Sequence, residues 1–196
     1  MFVRGLPAVS AVQIVVIPDA VEPDEREDLL DALANEGARS VIVRRMAVWL
    51  CTRAAVRLGR QPTQRETGQA LLDGLSDLTE YTHDPDNQEE YNRAETSLLP
   101  APGASRSPIT GTGKGRGDCE DMVVLYVAMA RSVGMGAHVI WVSQPDQPSS
   151  HVAASLVVDG IPEWVETTIP GALIGEAPYV AAERLGPSGV SRTGRR

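Results

Sequence analysis

Three residues carry the chemistry that this sequence most readily suggests: Cys119, His151 and Glu166. Gly117-Asp118-Cys119 sets a thiol at the first turn of a predicted helix, where unpaired backbone amides and the helix dipole favour thiolate over thiol. A cysteine nucleophile works best in such a place. Cys51, by contrast, falls inside a predicted helix on an apolar side, the ordinary surroundings of a packed thiol. A nucleophilic thiol also needs a base within hydrogen-bond reach, and an imidazole base needs an acceptor that fixes its tautomer and steadies its protonated form. His151 and Glu166 can fill these two roles. Asp159-Gly160 between them is a strong hairpin-turn signal. With that turn, Val158 pairs with Ile161 and Glu166 falls opposite Ala153, so His151 and Glu166 leave the same face as diagonal neighbours. An odd-length connection would put them on opposite faces. Trp164 shares their face and would wall the site from water.

The other reactive side chains have plainer readings. His138 lies in an apolar strand pattern and reads as a core or edge histidine, and His83 beside Asp84 as a surface group. The run Gly111 to Gly117 matches neither the dinucleotide fingerprint nor the phosphate-binding loop, and reads as a flexible approach to Cys119. Arg116-Gly117-Asp118 spells an adhesion tripeptide by accident. With no Cys-x-x-Cys pair and three scattered histidines, no metal site is expected.

The elements that must hold these residues follow from apolar spacing. Val9 to Ile17 reads as a strand or extended arm. Leu29, Leu30 and Leu33 give a helix within Asp19 to Glu36, and its carboxylates form a solvated face. Apolar residues on more than one side of Ala38 to Leu58 predict a well-buried helix that Gly59 ends. A capping box at Thr63 to Glu66 opens a third helix, reaching about Thr79. Tyr81 to Gly117 shows no sustained period and reads as a long loop that wraps a site. Helical spacing returns from Cys119 to Val133, with Gly134 as the stop. Three strands follow, Ala137–Ser143, His151–Val158 and Ile161–Thr168. Helices that precede an antiparallel sheet define an α+β fold.

The chain has 196 residues, 42% hydrophobic and 22% charged, enough apolar side chain for one sizeable core. A second full domain would leave each half near the lower limit of stable size. We therefore expect an N-terminal strand or arm at 1–18, a single domain at 19–186 and a flexible basic tail at 187–196. The net charge of −8 argues against nucleic-acid binding through the main surface, the one basic stretch read here being Ser191 to Arg196. An apolar run of ~18 residues, as a membrane span needs, is absent, as is the apolar block of a secretory signal. The expectation is a cytoplasmic protein with no membrane contact.

The order of helix-borne cysteine, strand-borne histidine and strand-borne acid resembles the transglutaminase-like superfamily, whose members share a papain-like core. The resemblance rests on Gly117-Asp118-Cys119-Glu120-Asp121, Leu125, Gly134, His151 and Trp164-Val165-Glu166-Thr167-Thr168, and spans roughly Tyr81 to Pro178. Tyr81-Thr82-His83-Asp84-Pro85 is similar to the segment before the cysteine in small bacterial and phage-encoded members. The resemblance implies Cys119 as nucleophile, His151 as base and Glu166 where the third residue is usually Asp. Asp121, and with it Asp118, would support the cysteine loop. The implied activity is acyl transfer or hydrolysis at a protein or peptide amide through a Cys119 thioester, with no metal or organic cofactor. The oxyanion would meet the Cys119 amide and a second donor from the Tyr81 to Asn92 loop. The alternative is a catalytically silent member acting as a binding or structural module, such as a virion component with assembly partners on its N-terminal arm.

Overall fold

A computed structural model of the chain describes residues 14–16, 23–84, 90–142 and 151–177. Strand β1 (Ile14–Val16) comes first, followed by helix α1 (Pro23–Ala38), which turns its Leu30, Leu33, Ala34 and Gly37 inward. After a tight turn at Arg39-Ser40, α2 (Val41–Leu58) buries a single stripe, Val43, Ala47, Leu50 and Ala54. The expected burial on several faces is not found. Val41, Val48 and Val56 are exposed because only one side of α2 meets the other helices, and Gly59 ends it in the left-handed conformation, with φ of 67°. Helix α3 (Gln64–Leu78) begins with the anticipated capping box: the Glu66 amide donates to the Thr63 hydroxyl and the Thr63 amide to the Glu66 carboxylate.

The stretch read as one irregular loop holds two short strands, and a third ends on its first residue, Tyr81. Strand β2 (Thr79–Tyr81) runs parallel to β4 (Gly115–Gly117), while β3 (Glu90–Asn92) pairs antiparallel with β1. Ile14–Val16 is thereby stitched to the domain; residues 1–13, 17 and 18 of the expected arm, and the expected tail at 187–196, lie outside the described residues. The end of the glycine run is a strand pressed against its neighbours. A Cβ on Gly115 would lie 1.8 Å from the Ser97 carbonyl oxygen, and one on Gly117 would lie 2.4 Å from the Asp121 Cβ. Glycine is required there for close backbone packing, which a sequence reader mistakes for looseness.

Helix α4 (Cys119–Ser132) is the axis of the fold. Every residue from Glu120 to Ala130 is buried, because α1, α2, α3 and the sheet surround the helix on all sides. The sheet is antiparallel in the order β5 (Ala137–Val142), β6 (His151–Val158), β7 (Ile161–Val165). Asp159 and Gly160 both take positive φ, 51° and 82°, as a tight hairpin turn of matching twist demands. The register then runs from Val158 opposite Ile161 to Ala154 opposite Val165, as the turn predicts. One sheet face (Val139, Val152, Ala154, Leu156, Val165) joins the helical core, and the other gathers Ile140, Ala153 and Trp164. The architecture is α+β. Among the described residues no helix is long and apolar enough to cross a membrane.

Candidate active site

Asp118 caps α4, its carboxylate accepting the Asp121 amide at 3.3 Å, so Cys119 occupies the first helical position. That end of α4 lies near the start of β6, where the backbone amide of Val152 exerts a small pull towards the thiolate, the weakest of the influences on the Cys119 sulfur. Val152 is the neighbour of His151. The fold therefore brings the helix start and the histidine-bearing strand together, although 31 intervening residues separate Cys119 and His151 in the chain.

His151 and Glu166 are paired, Nε2 to Oε2, at 2.9 Å. Glu166 follows directly on β7 and is wholly buried, and its second oxygen, Oε1, accepts the Thr168 amide at 3.0 Å and the Thr168 hydroxyl at 2.7 Å. Burial pushes the Glu166 carboxyl up, but the hydrogen bonds from His151 and Thr168 outweigh it and hold the group below the usual carboxylate range. A buried anion with three donors is a fixed acceptor for an imidazole. Trp164 packs with Ala153 and Ile140 on the same face, at the place the register assigned to it.

The surroundings of the sulfur are more acidic than the motif suggested. The Cys119 thiol donates to the Glu120 carboxylate at 2.8 Å, and Glu120, Asp118 and Asp121 are all buried. Burial first, then the Glu120 charge and hydrogen bond, then the Asp118 charge, raise the thiol well above its ordinary pKa. The thiolate preference expected of a helix start is thus reversed at rest, because burial, together with Glu120 and Asp118, outweighs the helix dipole. The same crowding acts on the acids themselves. Burial, with Glu120, Asp121 and Asp84 nearby, pushes Asp118 up to about 9. Burial likewise takes Asp121 to about 7, despite two short hydrogen bonds of 2.6 Å from the Asn92 amide and side chain. Asp121 thereby ties β3 to the cysteine helix.

Tyr81 ends β2 in register with Gly117, its ring edge-on to His83 at 5.0 Å. Burial and the negative charge of the Cys119, Asp118, Glu120 and Asp84 groups lift its hydroxyl to about 12, so it stays a hydrogen-bond donor. His138 is exposed on β5. Glu120, Asn92, Thr168 and Val152 have roles that the sequence reading did not assign. Thr168 had a local signal, a hydroxyl two residues beyond a carboxylate; Asn92 and Val152 had none, since their contacts cross the fold. Among the described residues no group of three or more His, Cys, Asp or Glu side chains could hold a metal ion.

The family model described as the transglutaminase-like superfamily matches residues 52–171, more than half of the chain, and the chain belongs to that superfamily. A solved structure titled "Crystal structure of a TGase" is similar over 85% of this chain and 38% of its own, at 15% identity and a TM-score of 0.37. The chain thus spans well under half the length of that relative. No curated protein matches it.

Proposed function

We propose that this chain performs thiol-dependent acyl transfer at a protein or peptide amide, with Cys119 as nucleophile, His151 as base and Glu166 as the acceptor that orients His151. The reading is carried by one observation: the His151–Glu166 hydrogen bond at the start of β6, the strand that packs against the Cys119-bearing helix α4. With Nε2 committed to Glu166, the thiol proton would pass to Nδ1 as sulfur adds to the amide carbonyl. The new C–S bond leaves an oxyanion, which the Cys119 amide at the open end of α4 and the Tyr81 hydroxyl would stabilise. Return of the proton to the departing amine gives a thioester, which water resolves by hydrolysis or a second amine by crosslinking.

A second reading, a silent member serving as a binding or structural module, has its own support in the Cys119–Glu120 hydrogen bond, which keeps the thiol protonated at rest. The two separate in one experiment, iodoacetamide labelling followed by mass spectrometry. A working site labels Cys119 faster than the half-buried Cys51, and His151→Ala slows Cys119 by about tenfold or more. Equal labelling of the two cysteines, unaffected by His151→Ala, supports the silent module.

A further inference from the structure

Between residues 38 and 65 the chain places seven arginines and not one carboxylate, although the whole protein carries 26 acidic residues and a net charge of −8. This stretch, not only the tail at Ser191 to Arg196, is basic in an acidic chain. Two of the seven are neutralised, Arg60 by Glu66 and Arg65 by Glu163. Arg39, Arg44, Arg45, Arg53 and Arg57 are exposed, and no carboxylate lies within ion-pair distance of them among the described residues.

Helix α2 adds an apolar element to this charge. Val41, Arg45, Val48, Thr52 and Val56 follow one another at helical spacing and form one solvent-facing stripe. Its three valines are 60%, 47% and 78% exposed. Arg53 lies over the Trp49 ring, 4.7 Å from its centroid, which holds a guanidinium in place before anything binds. Along one flank runs an open groove of about 740 Å³, lined by Arg44, Val48, Cys51 and Ala55 and, on its far bank, by Pro62 and Val133. The far bank is the C-terminal end of α4, ~20 Å from Cys119 at 1.5 Å per residue. This surface is distinct from the candidate active site.

We propose that the α2 face is a docking surface for an acidic segment of a partner protein that also presents apolar side chains. Charge complementarity sets the sign of the partner, since these arginines have no ion-pair carboxylate among the described residues and an approaching cation would be repelled. The valines and the groove set its class. A nucleic acid would neutralise the arginines but leave the valine stripe against its phosphates. A lipid surface asks for large apolar side chains on the helix, and the aromatic one here, Trp49, is half-buried. A peptide with carboxylates flanking an apolar stripe satisfies both features at once.

The test uses fluorescence anisotropy with a labelled amphipathic helical peptide bearing glutamates and a leucine stripe. Its scrambled counterpart, a DNA duplex and phosphatidylcholine–phosphatidylglycerol vesicles serve as competing probes. The ordered peptide should bind, weaken as salt rises, and outbind the scramble by about tenfold. R44E/R45E/R53E should reduce binding by about tenfold or more, and V48S/V56S by about fivefold, with unchanged melting temperatures. The triple glutamine version of the same arginines covers the case in which charge reversal disturbs folding. No binding of the ordered peptide, equal binding of the scramble, indifference to V48S/V56S, or tighter binding of duplex or vesicles overturns the proposal. So does salt-sensitive self-association of the protein that R44E/R45E/R53E abolishes, which would assign the face to a second copy.

Discussion

At the scale of single residues, the site is a contest over one proton. Glu120 accepts it from the sulfur at rest, whereas in the proposed reaction the His151–Glu166 pair would take it away. Removing the Glu120 charge should therefore free the thiolate. Glu120→Gln is expected to lower the reactive pKa of Cys119 and speed its alkylation near neutral pH by about tenfold, read from rate against pH. An unchanged profile would show that Glu120 does not govern the thiol. Glu166→Gln acts in the opposite direction. It is nearly isosteric but removes the anion that stabilises a protonated imidazole, so the reactive pKa of Cys119 should rise and acyl transfer should fall by about 10²-fold or more. Glu166→Asp keeps the charge with a shorter reach and should lose less. Wild-type kinetics in the Gln variant would mean that another group holds His151.

The elements around the site are fixed by close approaches more than by long contacts. Gly115 and Gly117 let β4 press against the Ser97 backbone and the Asp121 side chain, and Asp121 in turn holds Asn92 of β3. Gly117→Ala would drive a methyl group into Asp121, so the expected cost is about 1–3 kcal/mol, the range for overpacking a tight interior. Urea unfolding measures it. The same variant should slow Cys119 labelling, since Gly117 lies two residues before that cysteine. A variant as stable as wild type would show that β4 can move away without cost. Much of this layer was hidden in the sequence. The Gly111 to Gly117 run carries the composition of a loose loop, and only a neighbour from a distant segment distinguishes a glycine that permits motion from one that permits contact.

For the molecule as a whole, buried carboxyls set how stability depends on pH. Asp118 and Asp121 have folded pKa values raised to about 9 and about 7, above the ordinary 3.8, so the folded state binds more protons than the unfolded one across that interval. Stability must then fall as pH rises from about 4 towards 9. Glu166 has the reverse sign. Its depressed pKa contributes stability above the ordinary carboxylate pKa and loses it as pH falls through the folded value. Together they place the melting maximum near about pH 5. Asp118→Asn keeps a good N-cap while deleting the acid, and should raise the melting temperature at about pH 8 by about 2–4 °C with little change at about pH 5. A melting temperature that climbs steadily from about pH 5 to pH 8 would contradict this assignment.

The sequence alone determined what rests on local rules. Apolar period and caps gave α3 and α4, the Asp159-Gly160 turn gave the register of β6 and β7, and parity along those strands put His151, Trp164 and Glu166 on one face. Each of these depends on residues within a few positions of one another, so the information is contained in the segment itself. The α+β class and the superfamily were legible for the same reason. Tertiary structure alone decided the rest: the exposure of the valines on α2, the close packing of Gly115 and Gly117, the burial of α4 on every side, and the burial of Cys119 with its acidic neighbours that keeps the thiol protonated at rest. Burial is a sum over neighbours from distant parts of the chain, and Asp118-Cys119-Glu120-Asp121 reads the same in the sequence whether the segment is buried or solvated.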